Sequence, residues 1–410
     1  MRRYPRAWLF GIVAMPYGSF NGVIAVALPY LLRRQGLAVE RIAAIAALVQ
    51  APAIWYILWA PAVDFHFRRR TWIIVLSLVT AACAAAAFAL ASRGSIRAAT
   101  MLFVLASVFC QPVSSALGGL VASVMPLAAQ DRTAGFSQAG ILGAGVIVSG
   151  VIVVFIDRAW PTAAALSVGL LIALPGFAAL IVDEPPPRAS RTLPHLRSIA
   201  RDVLLAVRRP INWLGIALFV SPVGAGALMN LFSSVAPDFK ASSTIVVTVV
   251  AVAGALTACG ALVGGYVLEH IDRWRAYPIA GLLTAAVVGG MLLAPLTAAT
   301  YLIGGALYAL VTGFAYAAYM ALALELVGGV STANSTLFTL FTAAVNIPVV
   351  YMLRVDGAGH ARFGVRGMLA ADGIANALAA LVLLVLIMRL RATAAMLRTR
   401  ELSAQRGEAC

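Results

Sequence analysis

The sequence predicts an all-α membrane protein of twelve transmembrane helices arranged as two six-helix halves. Three observations carry that expectation. The chain of 410 residues is 62% hydrophobic and only 11% charged, whereas a soluble domain is about half apolar and roughly a quarter charged. Stretches such as 71–92, 133–156 and 366–388 have almost no ionisable side chain over about twenty residues, the length that crosses a hydrocarbon core. An acid followed by arginines closes the second such stretch and returns after the eighth.

Taken in order, apolar windows place spans at 8–32, 42–63, 71–92, 98–126, 133–156 and 160–182, then at 212–236, 243–268, 277–298, 300–327, 333–353 and 366–389. The first follows Arg2, Arg3 and Arg6 and contains Pro16, Tyr17, Asn21 and Pro29. It is too long and too interrupted for a cleaved signal, so it reads as a retained helix. The tenth is the weakest, because Tyr, Gly and Glu325 dilute its apolar run. The long polar stretch 183–210 opens on Glu184, Pro185, Pro186 and Pro187 and carries six arginines. It divides a first half, 1–183, from a second, 211–390, as a basic linker at 184–210, and a basic tail, 391–410, follows. Leu193, Leu196, Ile199, Val203 and Leu204 give the linker one or two amphipathic turns on the membrane surface.

The net charge is +15, but the arginines stand between apolar spans and form no basic face interleaved with aromatics, which argues against nucleic acid. With both ends inside, 20 of the 30 basic residues fall in cytoplasmic segments, as the positive-inside rule requires. The setting is a bacterial inner membrane. Cys83, Cys110 and Cys259 lie in apolar spans and Cys410 ends the chain, with no metal or disulfide spacing. His66, His195, His270 and His360 are scattered in loops, and no nucleophile–base pair, metal cluster or phosphate loop is apparent. An enzyme is therefore not expected, nor a cofactor.

The halves echo each other. The second span ends WAPAVDFHFRRRTW and the eighth ends GGYVLEHIDRWRAY, and Pro16, Gly18 and Asn21 of the first span match Pro222, Gly224 and Asn230 of the seventh more loosely. Parallel six-helix repeats are one of the transporter layouts, with the binding site between them near mid-membrane.

Two six-helix halves, a basic central linker and a short acid–arginine loop after the second helix of each half resemble the major facilitator superfamily over essentially the whole chain. The strings LPYLLRRQGLAVERIAAIAAL, WYILWAPAVDFHFRRRTW, DRTAGFSQAGILGAG and LFTLFTAAVNIPVVYMLRVDGAGH are similar to its AmpG-like branch of peptide and acetyl-coenzyme A transporters. That resemblance implies proton-driven uptake of a small solute, with muropeptide fragments or siderophores as cargo types. An exporter of drug-like molecules and a non-transporting membrane sensor are the alternatives.

Candidate functional residues fall into three sets. Asp64, Arg68, Arg69 and Arg70, with Glu269, Asp272 and Arg273 in the repeat, occupy the loops that resemble the superfamily's gate motif. An acid at a helix end with arginines a turn beyond can pair across two halves in one state and part in another. For solute binding, Tyr17, Asn21, Gln50, Trp55, Gln111, Asn230, Tyr316, Tyr319 and Asn346 are amide and aromatic groups within spans, costly to leave facing lipid. They suit a polar, uncharged or ring-bearing solute. Serines and threonines in the same stripes (Ser107, Ser115, Thr312, Ser335, Thr339, Thr342) serve as readily to glue helices. Glu325 and Asp372 are acids within spans and thus candidates for proton coupling, Glu325 with the alternative of capping the interface with a neighbouring loop and Asp372 with that of pairing to Arg366. The expected partners are a small-molecule substrate, protons and the lipid bilayer, with the chain acting as a monomer.

Overall fold

The structure, a computed structural model, describes residues 4–37, 39–64, 67–184, 201–206, 208–328 and 333–407. The described residues are predominantly helical and make twelve crossings of the bundle. Helices α1 (Ala7–Arg34), α3 (Arg69–Ser92), α4 (Ile96–Val124), α5 (Leu127–Asp157) and α6 (Pro161–Ile181) are single runs long and apolar enough to span a membrane. The second crossing is composite: α2 (Val39–Gln50) ends before Pro52, and a turn of helix (Pro52–Trp55) leads into 3₁₀ turns at Tyr56–Leu58 and Ala60–Asp64. Prolines inside the window remove the donors a continuous helix needs.

The second half begins with α7 (Pro210–Val220) and α8 (Ala227–Val235), which together make one crossing, and continues with α9 (Ser243–Val267), α10 (Arg273–Leu293) and α11 (Ala298–Val327). Helix α12 (Asn334–Gly407) supplies the last two crossings as two arms folded at Gly364, whose φ of 63° and ψ of −157° no helix contains. Of the linker, Glu184, 201–206 and 208–210 are described, 201–206 as helix, so its expected turn at Leu193, Leu196 and Ile199 lies outside the described residues.

Hydropathy follows position in the bundle. The most buried long helices, α1, α4 and α11, have mean hydropathies of 1.6, 1.6 and 1.7, against 1.8 to 2.6 for the other long spans. A helix surrounded by protein need not be oily all round, whereas one facing lipid must be. The diluted tenth span is therefore a central helix.

Small residues set the packing. Gly11, Gly18 and Gly22 of α1 lie against the backbone of α5 at Phe136, Ile141 and Gly145. Between the halves, α5 and α9 meet at Gly135 and Gly265, where a Cβ on Gly265 would come 2.8 Å from the Gly135 Cα. With no hydrophobic drive between helices in lipid, such close approach is a main source of adhesion.

Candidate solute site and its gate

A cavity of about 260 Å³ lies between the halves. Its polar wall comprises Tyr17 and Gln138 from the first half and Tyr316, Tyr319, Thr342 and Asn346 from the second, set among apolar residues such as Leu117, Ile141 and Phe338. Among the described residues that line it, none is an acid, lysine, arginine or histidine. The Tyr17 hydroxyl donates to Gln111 Oε1 at 3.4 Å, and the Tyr319 hydroxyl donates to Thr342 Oγ1 at 2.7 Å. The cavity can thus offer amide and phenol groups to a neutral polar molecule but no charge to balance an ion.

Part of the wall is backbone. Between α7 and α8 the chain unwinds over Ser221–Gly226, with Gly224 at φ 73° and Gly226 at φ 62°, and Gly224 and Ala225 face the cavity. Positive φ strains any residue with a Cβ, which explains glycine at both positions. Tyrosines satisfy freed carbonyls: Tyr277 donates to Val223 O at 2.6 Å and Tyr351 to Val220 O at 2.7 Å. Irregular backbone at membrane depth persists where it is buried in protein or lines a cavity. The first span has proline and glycine at matching places yet stays wound, relieved by a π turn at Val23–Ala27.

Of the residues expected to bind solute, Tyr17, Tyr316, Tyr319 and Asn346 share this wall and Gln111 stands behind Tyr17. Asn21 is spent on its own helix, donating to Tyr17 O at 3.1 Å. Gln50 and Asn230 are exposed and lie off the lining. So does Trp55, 60% exposed, while its neighbour Tyr56 is 2% exposed. The switch to 3₁₀ winding at Tyr56 changes which side chain faces inward, and a window that assumes α-helix misses it.

Below the cavity, at the end where the linker enters, two sets of contacts tie the halves together. In the first, the fully buried Asp64 carboxylate accepts from the backbone N–H groups of Ser335 (3.2 Å) and Thr336 (2.9 Å), from Thr336 Oγ1 (2.9 Å) and from Arg69 Nη2 (2.9 Å). An acid of one half thus caps the N-terminus of α12 in the other, where unpaired N–H groups and the helix dipole favour negative charge. Arg69 Nε also donates to Ser335 Oγ at 3.0 Å. Glu184 in turn holds the N-terminus of α3, accepting from the N–H groups of Arg69 and Arg70 at 3.0 Å each, while Arg70 Nη1 donates to Val182 O.

The second set mirrors the first. Arg273, at the start of α10, is bidentate on Asp131 of α5 (2.5 and 2.9 Å), donates to Leu127 O at 2.6 Å and reaches Glu325 of α11 at 3.3 Å. Glu325 also accepts from Trp274 Nε1 at 2.8 Å. Arg132 donates to Glu269 at 2.7 Å. In each half, then, the loop before the third crossing grips the N-terminal turn of a helix in the other half. Arg68 and Asp272 stand as the residues before α3 and α10. Glu325, expected as a coupling acid, sits in this gate with an arginine and an indole as partners. Asp372 is 1% exposed in the second arm of α12, and no ion pair joins it to Arg366 among the described residues.

Sequence reasoning missed Asp131, Gln138 and Glu184. The first two lie in the DRTAGFSQAG string, but nothing local marks them, because their partners are more than a hundred residues away.

Two halves, a broken helix at a central cavity and a repeated set of contacts between the halves at one end fit a carrier, and over residues 10–348 the sequence matches the Major Facilitator Superfamily. The chain belongs to that superfamily. Solved members share its shape: FucP in the outward conformation (12% identity, TM-score 0.68, covering 92% of this chain and 99% of that one), and the proton:xylose symporter XylE bound to 6-bromo-6-deoxy-D-glucose (14%, 0.62, 92% and 93%). The human organic anion transporter MFSD10 is similar at 13% identity and TM-score 0.68, with 92% and 98% covered. At such identities the likeness is one of fold. No curated protein matches the sequence.

Proposed function

We propose that this superfamily member carries a small, uncharged polar organic solute into the cytoplasm of a bacterium, through the inner membrane and coupled to protons, as its AmpG-like strings suggest. The observation that carries the reading is the uncharged amide and phenol wall between two halves that the paired cross-half contacts tie together at the linker end. In this reading the linker end is cytoplasmic, with both termini on that side, and the chain stands in the state closed to the cytoplasm. Alternating access requires the gate contacts to part as the halves rock about the solute. Asp64, Arg69, Arg70, Glu269, Arg273 and Glu325 serve as gate, and Asp372 as the carboxyl for coupling. The chain acts as a monomer in this reading.

Counterflow in proteoliposomes tests it, with a panel of muropeptide fragments, siderophores, monosaccharides and a fluorescent dye. A carrier exchanges labelled for unlabelled solute, and Asn346→Ala is expected to raise the half-saturating concentration about three- to tenfold, as loss of one net hydrogen bond of about 0.5–1.5 kcal/mol implies. Binding without exchange would sink the carrier reading. Exchange confined to the dye, with cells lacking the chain accumulating it, would reverse the direction.

A further inference from the structure

The two arms of α12 cross at Gly359 and Gly367, where a Cβ on either would strike the carbonyl oxygen of the other. This contact pins the arms together near the Gly364 fold, and Asp356 and Asp372 lie just inside it, eight residues before and after that fold. Asp356 is 0% exposed and Asp372 1%. Neither oxygen of Asp356 has a hydrogen-bond partner, nor does Oδ2 of Asp372. Asn376, 2% exposed and one turn beyond Asp372 on the same face, donates its Nδ2 to Asp372 O at 3.0 Å and leaves Oδ1 unpartnered as well. Four buried acceptor oxygens therefore share one region, each without a hydrogen-bond partner.

The surroundings supply no positive charge. Tyr308 of α11, fully buried, is the ionisable group within electrostatic reach of both carboxyls. Tyr351 of the same arm and Tyr277 of α10 spend their hydroxyls on Val220 O and Val223 O. The outer stretch of α10, 278–293, and all of α8 contain no ionisable residue. Arg354 and Arg366 are exposed, and Asp238 pairs with His360 at the surface. Two carboxylates cannot both stay charged in such a place, since a buried charge needs a partner, and buried polar atoms without partners call for an explanation such as an ion. An all-oxygen set suits a small hard cation. Two acids limit its charge, and among the described residues no group of three or more His, Cys, Asp or Glu could hold a metal ion.

We propose that Asp356, Asp372 and Asn376 form a monovalent-cation site, separate from the solute cavity, that takes a proton or a sodium ion. The proposal rests on the transport reading and deepens it, because the first arm of α12 joins three places. It begins at the Asp64 gate with Ser335 and Thr336, presents Thr342 and Asn346 to the cavity, and ends at Asp356. Loading the site removes repulsion between the arms, and that change is delivered along one helix to solute and gate. Coupling is thereby assigned to a pair and not to Asp372 alone.

The test uses the purified full chain in detergent with no solute, so it is independent of whether counterflow succeeds. Thermal unfolding is followed in sodium chloride against choline chloride at equal ionic strength, and across pH, in a His360→Gln background that removes the surface imidazole. A sodium site predicts a Tm higher in sodium, lost in Asp356→Asn, Asp372→Asn and Asn376→Ala. A proton site predicts no sodium effect and a Tm that rises as pH falls, because the folded chain holds protons that the unfolded one releases. That slope would be lost in both Asp variants and kept in Asn376→Ala. If the Asp variants are too unstable to melt cleanly, the protonated-carboxyl infrared band of the unsubstituted chain is followed from acid to alkaline pH and on adding sodium. Its loss with rising pH or with sodium supports the site. A wild-type Tm and carboxyl band indifferent to both cations, or a response unchanged in the Asp variants, overturns it.

Discussion

At the scale of single residues, the gate shows where electrostatic energy is concentrated. Arg273 and Asp131 have side chains only 9% exposed each, so removing Arg273 leaves the Asp131 carboxylate buried without its partner, at a cost of about 3–5 kcal/mol. Asp64, whose side chain is 0% exposed, is held as firmly: it accepts from Arg69 and from three donors at the start of α12, and its loss leaves those donors without an acceptor. Arg273→Ala should therefore shift the closed-to-open ratio more than a hundredfold, read as a wider spin-label distance between the linker ends of α5 and α9. Asp64→Asn should shift it in the same direction, because both Asp64 oxygens accept hydrogen bonds and an amide nitrogen in place of either would face donors. The acids and arginines of these loops were legible because charge inside an apolar chain is conspicuous. Their partners were not, since Asp64–Thr336 and Arg273–Asp131 are joined by folding across the halves and not by spacing along a helix.

At the scale of elements, length and composition reveal a crossing but not its interior. The window 212–236 was read as one span, and the structure divides it at Ser221–Gly226 into α7 and α8. Proline and glycine announce such a break, yet nearly the same pattern in the first span yields a continuous helix, so the outcome depends on neighbours. Tyr277 and Tyr351 make the difference by accepting the role of donor to the freed carbonyls. Gly224→Ala is expected to impose about 1–2 kcal/mol of backbone strain and to bring a methyl within 3.3 Å of the Tyr277 hydroxyl. Solute affinity should fall about fivefold or more while the purified chain remains helical by circular dichroism. An unchanged affinity would mean that the unwound segment is not part of the working site.

At the scale of the whole molecule, the two gates are related by the internal repeat, and each uses a loop of one half against a helix start of the other. The sequence pattern exposed the repeat through its loops, while the cavity wall, assembled from α1, α4, α5, α11, α12 and the unwound segment between α7 and α8, required the fold. Glu184 adds a constraint on how the halves are joined. Its carboxylate is bound to the N-terminus of α3, so the linker departs from the gate itself and not from the end of α6. Severing the chain tests this: fragments 1–187 and 188–410, co-expressed, keep the clamp and should reassemble into a working carrier. Fragments 1–182 and 183–410 transfer Glu184 to the other piece, and complementation should drop several-fold, with Glu184→Gln in the first pair producing the same loss. The connector would then be more than a leash, because its first residue acts as a fastener that keeps one helix start docked against Asp64 and its partners.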